Sequence, residues 1–363
     1  MGKLSFEDVK SFIEYNSKTS IEGFSFPILP RLNTIIGNIQ QNQVHAITGM
    51  PSSGISSFID QNYIISVLLQ WYNNPVNERI PLKIFYYTMA TPELKKIQLL
   101  LCNYLKLVNN LHVDVPTLNN QAGRLYDISK DKVLQDAIDD ASHFFNEIID
   151  DNVLVIQDKV VTPTEIYNDV LSYMNEIGAR DATNEFVFND GFEHAITMVI
   201  VDSVDQLAPD IEGYGTVYGD ALDEKFKKII NELKSLYNIT AVLAVPSKIG
   251  YVRSVKDTEP HLKHLGAYSK VDKGISIYNP IAEKNAKYYN ADESMYVTAK
   301  GNTLLRTWHV IRNVDGVDAT YDRMFFLPGT SYLMEYDKTE TITGIEEVLD
   351  ALSEESVFYS KED

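Results

Sequence analysis

This 363-residue chain has one cysteine, Cys102, so it cannot build an internal disulfide framework, and its thiol content suits a reducing cytosol. It has no run of about 18 apolar residues, so no membrane-spanning helix is expected. Met1–Glu14 carries several charges and no apolar core segment, which argues against a secretory leader and for a cytoplasmic protein. Positive charge is scarce: 32 basic against 51 acidic side chains give a net charge of −19, which opposes non-specific attraction to nucleic acid over most of the surface. Histidines are few, and only His261 and His264 share a helical spacing. No cysteine or further histidine stands near them, so they read as surface residues, not a metal site. There is no G-x-S-x-G elbow, internal repeat or low-complexity tract. Hydrophobic residues make up 44% of the chain, enough for a sizeable core, and 11% aromatics argues against disorder.

Residues 49–56 read Gly-Met-Pro-Ser-Ser-Gly-Ile-Ser. The phosphate-loop pattern G-x-x-x-x-G-K-[ST] is met at Gly49, Gly54 and Ser56, but Ile55 stands where the lysine belongs. The glycines let successive backbone N–H groups converge on phosphate oxygens, and the hydroxyl of Ser56 would hold Mg²⁺. Gly49, Ser52, Ser53, Gly54, Ser56 and Ser57 are therefore the candidate nucleotide-binding residues. Ordinary turn composition explains the glycines and serines equally well in isolation. The flanks favour the phosphate loop: Val44–Thr48 reads as a strand, and Phe58, Ile59, Tyr63, Ile64, Val67, Leu68 and Trp71 recur with helical spacing.

Apolar strands are expected at 43–48, 82–87, 152–157, 196–201 and 239–245, with helices at 92–108, 131–149, 163–177 and 222–237. Thr91 is the expected cap of the first helix, with Pro92 in its first turn, and Thr162 the cap of the third. Further strands are expected at 275–278, 304–312 and 323–327, with loops or insertions at 110–130 and 178–195. Continuous apolar strands alternating with helices imply an α/β fold with a mostly parallel sheet covered on both faces, and the strand-rich end implies added antiparallel strands toward the C-terminus. The chain divides into a lead-in segment 1–40, a core 41–335 and an acidic tail 336–363. The strand 196–201 ends in Asp202, the candidate second metal group beside Ser56. Taken alone, Asp202 could equally cap the following turn.

After the strand 83–87 come Thr88-Met89-Ala90-Thr91, and here the chain resembles the DnaB-type replicative helicases, RecA-fold hexameric motors with a Ser-Leu-Glu-Met strand end. The resemblance places Ala90 where that family has the glutamate that activates water. It extends to Phe26–Gly37 ahead of the loop, and to Ala241–Lys248, where Pro246 or Ser247 replaces a γ-phosphate-sensing glutamine. It continues through His261–Gly266 with Val271-Asp272 near the DNA channel, to His309–Gly316. In the last stretch Arg312 matches the arginine finger that reaches a neighbouring subunit, and Val310 replaces a lysine. The resemblance spans roughly residues 25–330, is nearest to bacteriophage helicase-like ATPases, and leaves no room for the family's primase-binding helical domain.

The resemblance implies a RecA-like P-loop fold, ATP and Mg²⁺ as candidate ligands, and a homo-oligomer or an active helicase-like partner. Lys248, Arg253 and Lys263 lie in a locally basic stretch that reads either as a DNA- or partner-facing surface or as a solvated loop. Lys248 and Arg312 are the candidate cations to replace the missing lysine. Three functions stay open: a pseudo-ATPase serving as a binding or assembly partner in DNA replication or recombination, a divergent active helicase, and a structural or virion-associated protein retaining only the fold. Single-stranded DNA is a ligand only in the first two.

Overall fold

The computed structural model describes residues 10, 23–50, 52–119, 131–182, 184–210, 227–246, 270–279, 305–316, 320–327 and 332–335. Its framework is a nine-stranded sheet in the order β11-β10-β9-β8-β1-β7-β6-β2-β3. The strands are β1 (Val44–Gly49), β2 (Leu82–Tyr87), β3 (Leu154–Gln157), β6 (Ile196–Val201), β7 (Thr240–Pro246), β8 (Lys273–Tyr278), β9 (Leu305–Asn313), β10 (Thr320–Leu327) and β11 (Tyr332–Glu335). A separate hairpin pairs β4 (Gly178–Arg180) with β5 (Phe186–Phe188). From β8 through β3 every pairing is parallel. From β8 outward to β11 every pairing is antiparallel.

Burial explains why the central strands form. Every residue of β1, β2 and β6 is buried, as sheet strands covered on both faces require. One apolar cluster fills one face of the sheet with the loop-following helix and the Glu93–Asn109 and Lys132–Asp150 helices. A second fills the other with Pro163–Ile177 and the segment around Tyr237. Phe24, Phe26, Leu29, Leu32, Ile36 and Ile39 of the lead-in stretch belong to the first cluster.

Local chemistry sets the element ends. Thr162 and Glu165 form a reciprocal capping box on Pro163–Ile177, and Asp131 caps Lys132–Asp150 by accepting from the Leu134 N–H at 3.0 Å. The expectation at Thr91 is corrected: Pro92 occupies the cap position, and Asp158 from the end of β3 accepts from the Glu93 N–H at 3.0 Å. The expected loop 178–195 contains the β4–β5 hairpin. Its three-residue strands are too short for a legible alternation, and Phe186 stacks edge-on against Tyr237 with centroids 5.5 Å apart. The helix expected at 222–237 is described only from Lys227, where it is π-helical to Lys234. Lys248, Arg253, Lys263, His261, His264, Ser247 and the acidic tail lie outside the described residues.

Candidate nucleotide site

β1 ends at Gly49, whose neighbours leave no room for a side chain: a Cβ there would stand 2.3 Å from the Ile277 carbonyl oxygen and 2.6 Å from Ser53 Oγ. The loop then turns through Ser52 at φ +67° and Gly54 at φ +100°, left-handed conformations that glycine adopts without strain at 54. Ser53 N–H donates to the Met50 carbonyl at 3.0 Å, and Phe58 N–H donates to the Gly54 carbonyl at 2.9 Å, so the helix starts directly at Ile55. This helix runs from Ile55 through a π-helical stretch, Asp60–Ile65, to Asn73.

Asp202 follows the last residue of β6 and leaves the sheet at the same carboxyl edge as Gly49, with its N–H donating to the Tyr87 carbonyl at 2.8 Å. The strand ends thus bring the loop and the acid together, where parallel sheets bind ligands. Ser56 Oγ donates to Asp202 Oδ1 at 3.0 Å. A cleft of about 340 Å³ opens above them, lined by Ser52, Gly54, Ser56 and Ser57 from the loop, Ala90 and Thr91 after β2, Asp202, Ser203 and Gln206 after β6, Pro246 ending β7, and Phe326 of β10. The left-handed loop, the space that only glycine leaves at 49, and the hydroxyl–carboxylate pair fit a phosphate chain with Mg²⁺. Ser56 would be its direct ligand and Asp202 would act directly or through water.

Beneath the cleft lies a buried polar network. Tyr86 of β2 donates its hydroxyl to Asp60 Oδ1 at 2.7 Å and to Asp202 Oδ2 at 3.2 Å. Lys96 Nζ donates to both oxygens of Asp60, at 3.1 and 3.0 Å, and stands 3.8 Å from Asp202 Oδ2. Burial pushes the Asp60 carboxyl above its ordinary value. Lys96 opposes that shift, Asp202 adds to it, and the Tyr86 hydrogen bond opposes it. Burial, with the two carboxylates adding to it, pushes the Tyr86 phenol far upward, which keeps it a hydroxyl able to donate.

Ile55 is 8% exposed and packs in the same apolar cluster as Phe58 and Ile59, while also lining the cleft. Ala90 lines the cleft too. Glu93 is exposed in the first turn of its helix and is absent from the lining. Among the described lining residues there is no lysine, arginine, histidine or glutamate, and Asp202 is the sole charged side chain. Ser53 is fully buried within the loop instead of lining the cleft. Arg312 does not reach its own chain's loop. Gly49 pairs with Ile277 and Ile277 with Trp308, but Arg312 pairs with Gly274, roughly 10 Å down the strand at about 3.3 Å per residue.

Sequence reasoning missed two cations close to the loop. Lys96 is one. The other is Arg306 of β9, 5% exposed, whose Nε donates to the Ser53 carbonyl at 3.1 Å and whose guanidinium lies 5.0 Å from the Phe326 ring centroid. No local pattern marks either residue. The legible signal was that a strand beginning near residue 304, paired beyond β8, brings its first residues to the carboxyl edge of the sheet.

No protein-family profile matches the chain, and no curated protein matches it by sequence. Solved structures match by fold. One is the ATPase domain of a DnaB-like replicative helicase: TM-score 0.63, 12% identity, covering 93% of this chain and 100% of that one. Another is a DnaB-like replicative helicase described with its interactions with primase: TM-score 0.59, 12% identity, covering 93% of this chain and 68% of that one. The chain therefore has the RecA-like α/β fold of DnaB-type helicase ATPase domains. No helix among the described residues is long and apolar enough to cross a membrane.

Proposed function

We propose that this chain is a catalytically degenerate, DnaB-like helicase-fold protein that binds ATP with Mg²⁺ and turns it over negligibly. We place it as a bacteriophage-encoded binding or assembly partner in DNA replication or recombination, working in the host cytoplasm. The observation that carries this reading is the cleft itself. Loop, hydroxyl and acid retain a nucleotide-site arrangement, yet the lining offers Ile55 and Ala90 where a phosphate cation and a water-activating base are needed. Loss of one preorganised electrostatic group costs on the order of 10²–10³ in rate, and loss of a general base about 10² or more; the two are not additive within one catalytic unit.

Ser56 and Asp202 would hold the metal, which when bound neutralises phosphate charge, while the loop backbone would orient the phosphate chain. Arg312, at the far end of β9 from its own cleft, suits contact with a second copy or an active helicase-like partner. The deciding experiment is a fluorescent ATP titration with and without Mg²⁺, followed by a turnover assay with and without single-stranded DNA. Saturable binding with background turnover is expected. Turnover at ordinary helicase rates, abolished by Asp202→Asn, would instead make the protein an active motor. Absence of nucleotide binding would leave a structural protein that keeps only the fold.

A further inference from the structure

The peptide joining Ser53 to Gly54 is gripped from behind. Arg306 Nε donates to its carbonyl oxygen at 3.1 Å. A trans peptide points its C=O and N–H in opposite directions, so fixing the Ser53 carbonyl toward Arg306 aims the Gly54 N–H away from Arg306. Gly54 lines the cleft and Arg306 does not, so away from Arg306 is toward the cleft. The same guanidinium rests against Phe326, whose ring lies 3.6 Å from where a Gly54 Cβ would be and which also lines the cleft. One cation therefore touches the loop at its backbone and props the aromatic wall beside it.

We infer that Arg306 is the positioning residue that replaces the missing loop lysine from beneath: it orients the Ser53–Gly54 peptide as an anion donor and lends the polyphosphate site the positive charge that Ile55 cannot. The ligand class is a nucleoside di- or triphosphate, recognised by its phosphate chain more than by its base. Burial lowers the Arg306 guanidinium to about 10, which leaves it cationic at neutral pH. Its field acts at short range through a protein wall with little water to screen it. A lysine at 55 would touch phosphate oxygens directly. Arg306 supplies charge without that contact, which suits ground-state binding better than stabilisation of a moving phosphoryl group. The inference rests on the nucleotide-site reading above.

The test compares wild type, Arg306→Lys and Arg306→Gln for binding of AMP, ADP and ATP, with folding checked by circular dichroism. Glutamine keeps an N–H donor for the Ser53 carbonyl and removes the charge; lysine keeps both. The expected result is a loss in Arg306→Gln that grows with phosphate number, below threefold for AMP and above tenfold for ATP, with Arg306→Lys within threefold of wild type throughout. Equal losses for AMP and ATP would reduce Arg306 to a structural pin and overturn the inference. Unchanged ATP affinity in Arg306→Gln would overturn it too. Wild type that binds none of the three would overturn the nucleotide-site reading together with it. Should Arg306→Gln fail to fold, Arg306→Lys decides: ATP affinity within threefold of wild type supports the inference, and parallel loss of AMP and ATP overturns it.

Discussion

Lys96 Nζ lies 3.0 Å from Asp60 Oδ2, and both side chains are 1% exposed. A buried ion pair is weak proof of net stability, but removing one partner strands the other charge out of water. Lys96→Met should therefore cost about 3–5 kcal/mol. Lys96→Met combined with Asp60→Asn should cost clearly less than the sum of the two single changes, because the orphaned carboxylate is gone. Urea denaturation of the four proteins of the cycle measures this. A Lys96→Met protein within about 1 kcal/mol of wild type would show that Tyr86 and Asp202 alone can settle Asp60.

The capping box predicts a smaller, local effect. Thr162 Oγ1 accepts from the Glu165 N–H at 3.2 Å, while Glu165 Oε2 accepts from the Thr162 N–H at 2.6 Å. Thr162→Ala removes the first bond and should destabilise by about 1 kcal/mol. Thr162→Asp should recover most of that, since a carboxylate can accept the same N–H. Denaturation midpoints of the two variants would separate a lost cap from a general surface effect.

Acid should weaken the fold through two histidines. His45, inside β1, is held neutral: burial lowers it to about 3, and Lys273 and Lys234 add to the shift. Its Nε2 faces Gln43 Oε1 at 2.9 Å, which assigns the proton there, and its Nδ1 accepts from the Tyr63 hydroxyl at 2.8 Å. Burial lowers His309 to about 4. Both folded values lie below the unfolded one, so the unfolded state binds more protons in that window. The stabilisation is complete above about pH 6.5 and is lost as pH falls toward 4 and 3, roughly 2 kcal/mol for each histidine by pH 5. Asp60, shifted upward, opposes this trend at the acid end. Unfolding free energies measured from pH 7.5 to 5 should fall, and His45→Gln should flatten the slope. A pH-independent free energy across that range would contradict the burial of neutral imidazoles.

The fold was legible where burial is total. The continuous apolar runs of β1, β2, β6 and β7 need nothing beyond their own sequence to announce sheet strands covered on both faces. The loop and Asp202 were legible for the same reason, because each follows such a strand. β11 was not: its four residues gain their place from Gln61, whose side chain donates to the Leu333 carbonyl and accepts from the Leu333 N–H, both at 2.5 Å. Asp60 and Lys96 read as ordinary helix charges until the fold brings together positions 36 residues apart. Arg306 reads as a strand residue facing solvent until β9 places it under the loop, 253 residues from Ser53. Long-range polar contacts leave no periodic trace, and that is where the replacement cations lie hidden.

Ile55→Lys tests whether the chemistry has been abandoned or only interrupted. The new ammonium would enter a position 8% exposed within the apolar cluster, so some stability should be lost through desolvation of charge. At the cleft it would meet phosphate directly, and charge of that kind acts in the ground state as well as the transition state. Affinity for ATP should rise on the order of tenfold, comparable to one charge-assisted contact. Turnover should stay at background, because Ala90 still offers no base and Glu93 sits exposed outside the cleft lining. Adding Ala90→Glu to Ile55→Lys gives hydrolysis its best chance, since residue 90 borders the cleft that Asp202 also lines. Fluorescent-nucleotide binding and phosphate release, measured on the single and double variants, separate the cases. Robust phosphate release from Ile55→Lys alone would mean that another acid already serves as base, and the chain would be a motor lacking one part.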